Sequence, residues 1–173
     1  SDIGVSRQAV KQWYDILIDT LIGFELPPFQ ATKKRKAIET AKFYFFDIGV
    51  ARALRNIPTP AKGTTEFGEF FEQYIAIELR AFLDYTKNRH ELTYWRSTAD
   101  QEVDFLIGTE LAIEVKASST ISSKHLRGLR ALREENIFSN YCIVCQEEHP
   151  RTLEEITIYP WKYFLEQLWK GKL

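Results

Sequence analysis

Two short segments, residues 102–107 and 111–116, are joined by only three residues, 108–110. Apolar residues occupy every second position in both segments, and a period of two is typical of a β-strand. A three-residue loop between two such strands forms an antiparallel hairpin, in which Ile107 pairs with Leu111. The chain is therefore expected to contain a β-sheet with an apolar face.

The register of this hairpin assigns its side chains to two faces. Asp104 lies opposite Glu114, and Glu102 lies opposite Lys116. These four charged residues share one face. The other face, which we expect to form core, consists of Val103, Phe105, Ile107, Leu111, Ile113 and Val115.

The charged face has two interpretations. It is either a solvated sheet face or a cation site. The second interpretation is favoured because facing carboxylates repel each other by a few tenths to about 1 kcal/mol, and a divalent cation removes that repulsion. Mg²⁺ is typically held by one or two carboxylates together with water and phosphate oxygens, which makes Asp104 and Glu114 candidate ligands. Lys116 would orient or help to deprotonate an attacking water and offset charge developing on phosphorus.

A further carboxylate is expected to point toward this face from a long helix, predicted from Thr65 to about Asp84. The solvent side of that helix should consist of Glu66, Glu69, Gln73 and Arg80. Glu72 instead falls in line with small and apolar residues. It is either a rim residue paired with an arginine or an inward carboxylate that belongs with the hairpin cluster.

The remaining periodicity gives the order of elements. From Thr65 onward we expect a helix, three strands, a helix and a strand. The strands are predicted near 92–95, 102–107, 111–116, 141–146 and 155–159, with a further strand at 42–48, a helix over 122–135 and a final helix that begins at Pro160.

Five blocks of the sequence, in this order, resemble a known group of proteins. The blocks are Lys42 to Gly49, Gly68 to Glu72 with Glu78 and Leu79, Tyr94 to Arg96, Glu102 to Phe105, and Ile113 to Lys116. They resemble the PD-(D/E)XK nuclease superfamily and, more closely, the uncharacterised C-terminal domain that follows a P-loop ATPase in prokaryotic AAA-type proteins. One departure is Val103, which stands where the motif has proline.

The resemblance implies an α/β fold with a restriction-endonuclease-like core, in which helices flank a mixed central sheet. It implies that Asp104, Glu114 and Glu72 are metal ligands for Mg²⁺ (or Mn²⁺) and that Lys116 is the catalytic lysine. The implied activity is metal-dependent hydrolysis of DNA phosphodiesters, with the ATPase module of the parent chain as a partner. The alternative is a non-catalytic module of that ATPase that binds nucleic acid or protein.

The formal net charge of −1 gives the chain no general attraction for nucleic acid, so DNA binding would depend on a local basic patch. Lys124, Arg127 and Arg130 lie on the helix predicted over 122–135. They form either a solvated face or a ridge that contacts phosphates. The basic run 33–36 is likewise either a solvated loop or a contact with the phosphate backbone.

The first thirty residues have a different character. Ser6 is a suitable N-cap for a helix over 7–19, and an apolar strand-like run follows it. This pattern is typical of the last helices and wing strand of a helix-turn-helix unit, which is either a DNA reader or a packing module. We therefore divide the chain into a helix-turn-helix or winged-helix-like remnant at 1–30 and a nuclease-like domain at 31–173.

Three observations bear on location and context. The chain begins with Ser1 and contains no methionine, so we expect it to be part of a longer protein. It has neither an apolar run of about 18 residues nor a signal-peptide pattern, which predicts a cytoplasmic protein without a membrane partner. Cys142 and Cys145 lie three apart in an apolar strand, so they should face opposite ways as core thiols and form neither a disulfide nor a metal site.

Overall fold

The computed structural model describes residues 4–173, which contain five α-helices and eight β-strands. The helices are α1 (Arg7–Asp19), α2 (Ile48–Leu54), α3 (Thr65–Thr86), α4 (Arg127–Arg133) and α5 (Trp161–Trp169). The strands are β1 (Gly23–Leu26), β2 (Lys42–Phe45), β3 (Leu92–Arg96), β4 (Glu102–Ile107), β5 (Leu111–Val115), β6 (Asn140–Cys145), β7 (Arg151–Leu153) and β8 (Ile156–Pro160). A 3₁₀ turn, Ser123–Leu126, leads into α4.

Six strands form one mixed sheet, in the order β3-β4-β5-β6-β8-β7. The pairs β3–β4, β4–β5 and β7–β8 are antiparallel, whereas β5–β6 and β6–β8 are parallel. The predicted order of helix, three strands, helix and strand is confirmed in α3, β3, β4, β5, α4 and β6. The chain therefore has a mixed α/β fold, with β1 and β2 forming a separate two-stranded sheet.

The hairpin that the sequence predicts is present in the predicted register. Ile107 pairs with Leu111, and Phe105 pairs with Ile113. Gly108 opens the turn with a φ of +51°, a conformation that glycine adopts without a steric penalty. One step beyond the last of these pairs, Asp104 and Glu114 are the next residues on the two strands.

Both faces of the sheet are covered, which excludes a solvated second face for the hairpin. On one face, buried residues of the hairpin pack with α3, α5 and the β1–β2 sheet. On the other face, Leu106 and Ala112, which alternate with the predicted core residues, are fully buried beneath α4. The interpretation of the charged face as wet is therefore wrong.

A β-bulge corrects the predicted position of one core residue. Val103 packs in the cluster beneath α4 and not with Phe105. The pairing of β3 with β4 changes register, because Thr93 lies opposite Leu106 and Trp95 lies opposite Val103. β4 therefore has one residue more than β3 in this interval, and such a bulge reverses the alternation beyond it.

The long helix α3 begins where the sequence predicts, with the side chain of Thr64 accepting a hydrogen bond from the Phe67 amide. Glu66, Glu69 and Arg80 are exposed as expected. Gln73 is not, because β2 covers this part of α3 and the Gln73 amide donates to the carbonyl of Phe45 at 3.1 Å.

The N-terminal segment contributes to the main body. Within residues 4–30 the structure contains one helix, α1, and one strand, β1; residues 1–3 lie outside the described part. β1 pairs along its length with β2, which follows residue 30 in the chain. Phe24 and Leu26 of β1 belong to the same core cluster as α3 and α5.

The C-terminal strands differ from the prediction in one respect. The sequence indicates β8 but not β7, which pairs with it through a turn at Glu154 and Glu155. Cys142 and Cys145 are buried free thiols in β6 and belong to the core clusters on opposite sides of the sheet, as predicted. Among the helices of residues 4–173, none combines the length and apolar character needed to cross a membrane.

Candidate functional site

Asp104 and Glu114 lie beside each other on β4 and β5, and both are buried. Their exposed fractions are 5% and 6%. Asp104 Oδ2 accepts a hydrogen bond from the amide of Val115 at 2.8 Å. Burial, and then the charge of Glu72, raises the pKa of Asp104 to about 6. Burial, and then Asp104, raises the pKa of Glu114 well above its usual value.

Lys116 follows Glu114 at the end of β5 and pairs with it. The distance from Lys116 Nζ to Glu114 Oε1 is 2.5 Å. Burial alone would lower the pKa of Lys116, but Glu114 and Asp104 outweigh burial and raise it. Lys116 is therefore an ammonium ion at neutral pH. The second oxygen of Glu114, Oε2, is buried and has no hydrogen-bond partner within residues 4–173.

A second lysine, Lys42 at the start of β2, lies between three carboxylates. Its Nζ is 2.5 Å from Glu102 Oε1, 3.1 Å from Glu72 Oε1 and 3.6 Å from Asp104 Oδ1. Burial alone would lower the pKa of Lys42, but the attraction of Asp104, Glu72 and Glu102 raises it. The lysine therefore remains charged.

Glu72 points inward from α3, as its position on the helix predicts, but its partners are not an arginine. Its Oε1 accepts a hydrogen bond from the hydroxyl of Tyr44 at 2.5 Å and pairs with Lys42. Burial and the charge of Glu72 raise the pKa of Tyr44, which keeps the hydroxyl protonated as a donor. β2 therefore supplies both groups that hold this carboxylate.

Sequence reasoning did not identify Lys42 or Tyr44 as site residues. Both belong to the first block of the resemblance, and Lys42 is the only charged residue of an aromatic strand. That isolated charge was the available signal. The distance along the chain from Lys42 to Glu102 concealed the contact, because only the tertiary fold brings β2 over β4.

We refer to these groups together as the carboxylate cluster: Glu72, Glu102, Asp104 and Glu114, with Lys42 and Lys116. Arg96 Nε approaches the cluster at 3.6 Å from Glu102 Oε2. Four carboxylates thus face three basic groups. The unpartnered oxygen of Glu114 and this shortage of positive charge are compatible with a hard cation such as Mg²⁺.

Few protein side chains are available to coordinate such an ion. In residues 4–173, no three aspartate, glutamate, histidine or cysteine side chains are grouped so that they could hold a metal ion. Asp104 and Glu114 supply two carboxylates, and two are sufficient for Mg²⁺ when water and phosphate oxygens complete its coordination. The donor set therefore fits a metal site that the substrate helps to form.

A cavity of about 320 Å³ opens beside the cluster. Its walls come from β2, α2 and α3 and include Lys42, Tyr44, Arg55, Glu69, Glu72 and Gln73. Arg55 pairs with Glu69 at 2.7 Å on its outer side. Of the cluster, Lys42 and Glu72 line this cavity, and Phe43, Phe45 and Ala51 make the rest of its wall mostly apolar.

The predicted phosphate-binding residues are partly engaged within the protein. Arg130 pairs with Glu154, with Nε 2.7 Å from Oε2, and is half-buried. Arg127 reaches the carbonyl of Ala99 at 3.4 Å but is exposed, as is Lys124.

The basic run 33–36 is not a simple solvated loop. The amides of Lys33 and Lys34 donate to Glu135, and the guanidinium of Arg35 pairs with Glu134 at 2.6 Å. The run thus caps the end of α4.

Comparison with known proteins places these residues in two matched regions. A family described as a domain of unknown function, DUF4143, matches residues 67–164, which include Glu72, Asp104, Glu114 and Lys116. A second family described in the same way, DUF8612, matches residues 1–61, which include Lys42.

Two relatives are uncharacterised proteins of Mycobacterium bovis and Mycobacterium tuberculosis. Each is 24% identical to this chain over 161 residues, or 90% of the chain. The chain spans 35% of the length of each relative. No solved structure matches the chain.

Proposed function

The chain belongs to the family described as domain of unknown function DUF4143, and we propose that it is the nuclease-like domain of a larger ATPase that hydrolyses DNA phosphodiesters with a divalent metal ion. The observation that carries the proposal is the pair of buried carboxylates, Asp104 and Glu114, with an ammonium ion at Lys116. Burying two like charges side by side destabilises a fold. A site of this kind is therefore a candidate for function.

The fold supports the same proposal. α3, β3, β4, β5, α4 and β6 follow the element order of a restriction-endonuclease-like core, and the sheet is mixed. The resemblance to that superfamily implies metal ligands on the second and third strands of this order, which are β4 and β5. Asp104 and Glu114 occupy these strands.

Each residue of the site has a distinct role in the proposal. Asp104 and Glu114 would hold Mg²⁺, which stabilises the negative charge that develops on phosphate during hydrolysis. Lys116 is protonated, so it offsets charge on phosphorus and orients water rather than removing a proton. Glu72 was expected to be a third ligand. Lys42 and Tyr44 hold its carboxylate, so the proposal assigns the metal ion to Asp104 and Glu114 only.

The test combines metal binding with cleavage. Mn²⁺ and Mg²⁺ are titrated calorimetrically into the wild type and Asp104→Asn, and supercoiled plasmid is incubated with each protein and metal. We expect binding and nicking in the wild type, loss of both in Asp104→Asn, and no change in the control Asp84→Asn, whose side chain is exposed on α3. Wild-type protein that neither binds metal nor cuts DNA contradicts the proposal.

A second candidate is a non-catalytic interaction module, and one observation favours it. Trp13 and Ile16 of α1 are 55% and 57% exposed, and large apolar residues exposed on one helix are typical of a protein contact. The chain also spans only about a third of its relatives. This candidate predicts that Asp104→Asn and Lys116→Met keep the function of the parent protein.

A further inference from the structure

Lys42 lies at the centre of three carboxylates that come from two different elements. Glu72 approaches its ammonium from α3, while Glu102 and Asp104 approach it from β4. The lysine side chain is only 23% exposed. An ammonium ion surrounded by acidic oxygens in this way occupies a position that would otherwise suit a metal cation.

Lys42 and Tyr44 together occupy one oxygen of Glu72. Both the ammonium and the hydroxyl donate to Oε1, at 3.1 and 2.5 Å. The closest contact of Lys42 is with Glu102, at 2.5 Å. Glu72 is therefore paired with Lys42, and Glu102 is paired with Lys42 and Arg96.

The other side of the cluster differs. Glu114 pairs with Lys116 through Oε1 only, and its Oε2 is buried without a hydrogen-bond partner in the described part of the chain. Asp104 lies between the two sides, 3.6 Å from Lys42 through Oδ1. Glu114 and Asp104 are therefore the carboxylates of the cluster that a further positive charge would stabilise most.

We propose that Lys42 is a built-in cation that reserves Glu72 and Glu102, so that a divalent ion is confined to Asp104 and Glu114. This inference deepens the proposed function and rests on it for the ion at those two residues. Lys42 is then a positioning residue, because it determines which carboxylates are available to the metal.

The consequence is a specific pattern of metal affinity. While Lys42 is present, Glu72 contributes nothing to metal binding. When the ammonium is removed, Glu72 becomes available and the repulsion between Lys42 and the ion disappears. Metal affinity therefore rises, and the gain depends on Glu72.

The experiment is a double-mutant cycle read by Mn²⁺ titration calorimetry on the wild type, Lys42→Met, Glu72→Gln and the double variant. We expect Lys42→Met to lower the Kd for Mn²⁺ by about tenfold or more. Glu72→Gln alone should leave the Kd within about twofold, and adding it to Lys42→Met should reverse most of the gain. Lys62→Met is the matched control, because Lys62 is exposed, and it should bind Mn²⁺ like the wild type.

The outcomes separate this inference from the proposed function. If the wild type binds Mn²⁺ and Lys42→Met does not bind it more tightly, the inference is wrong and the metal site stands. If the wild type binds no Mn²⁺ and Lys42→Met does, Lys42 occupies a site that a metal ion can take, but the proposed metal-dependent function fails. If no variant binds, both fail. Should Lys42→Met not fold by circular dichroism, a loss of about tenfold or more in Glu72→Gln alone still overturns the inference.

Discussion

Asp104 is an unfavourable residue to bury, and its ionisation makes stability depend on pH. Its pKa in the folded protein is about 6, which is above its ordinary value of 3.8. The folded state therefore binds more protons than the unfolded state between these two values. Stability contributed by the protonated form is present below about pH 4 and is lost as the pH rises through about 6.

Asp104→Asn should consequently stabilise the protein at neutral pH. The amide keeps an oxygen for the Val115 hydrogen bond but carries no charge beside Glu114. We expect a gain of about 1–3 kcal/mol in the free energy of unfolding at pH 7.5. The gain should shrink toward zero near pH 4.

Urea denaturation at both pH values measures this prediction. A wild type that is more stable than Asp104→Asn at pH 7.5 would show that the attraction of Lys42 and Lys116 for Asp104 exceeds the penalty of burial. Equal gains at the two pH values would show that the effect of the substitution is not ionic.

Helix α4 lies directly against the backbone of β4, and the residue of α4 at this contact is a glycine. A Cβ built on Gly128 would lie 1.8 Å from the carbonyl oxygen of Glu102, a member of the carboxylate cluster. Backbone atoms cannot move aside as a flexible side chain can. The position of this helix relative to the cluster therefore depends on Gly128.

Gly128→Ala should destabilise the protein by about 2–3 kcal/mol, although alanine is the better helix former. Gly68→Ala in α3 is the matched control, since a Cβ there meets nothing within 4 Å. It should stabilise the protein by about 0.5–1 kcal/mol. Thermal unfolding of both variants tests the pair, and similar shifts for the two would contradict the close approach of α4 to β4.

The β7–β8 turn is a second element that carries strain. Glu154 and Glu155 have φ values of +53° and +64°, and a side chain destabilises this left-handed conformation by about 1–2 kcal/mol. Arg130 holds Glu154 through two hydrogen bonds. Glu155 is nearly fully exposed, with one ionic contact at 3.5 Å to Arg133.

Glu155→Gly should therefore stabilise the protein, by about 0.5–1 kcal/mol. Glu166→Gly in α5 serves as the control and should destabilise it by about 1 kcal/mol. Chemical denaturation measures both changes. A destabilised Glu155→Gly would mean that the contact with Arg133 outweighs the backbone strain.

The N-terminal segment consists of two parts that are attached differently to the rest of the protein. α1 packs mainly on β1 and reaches β2 through Tyr14 and Phe43, whose ring centroids are 4.9 Å apart. β1 is bound more firmly, because it pairs with β2 and buries Phe24 and Leu26 in the core. The carboxylate cluster depends on β2 for Lys42 and Tyr44.

Two truncations should separate these parts. Removal of residues 1–21 should leave a folded protein with a cooperative thermal transition, since much of α1 is exposed. Removal of residues 1–30 should abolish folding, because losing two buried apolar side chains costs about 2–5 kcal/mol each and total stability is on the order of 5–15 kcal/mol. Circular dichroism and thermal unfolding distinguish the cases. A folded product lacking 1–30 would show that β1 is dispensable.

Local periodicity in the amino-acid sequence is sufficient to predict one group of features. Alternation of apolar residues determined the β4–β5 hairpin and its register at Ile107 and Leu111. Helical spacing determined α3 and the inward direction of Glu72. These follow from the sequence because strand and helix geometry relate neighbouring residues directly.

The groups that surround the carboxylates depend instead on how distant segments pack together. Lys42 reaches Glu102 because the β1–β2 sheet packs over β4, and Gln73 is buried because β2 covers α3. Val103 changes sides because of a bulge that pairing with β3 creates. Each of these depends on a contact between segments distant in sequence, and the periodicity of one segment contains no information about what packs against it.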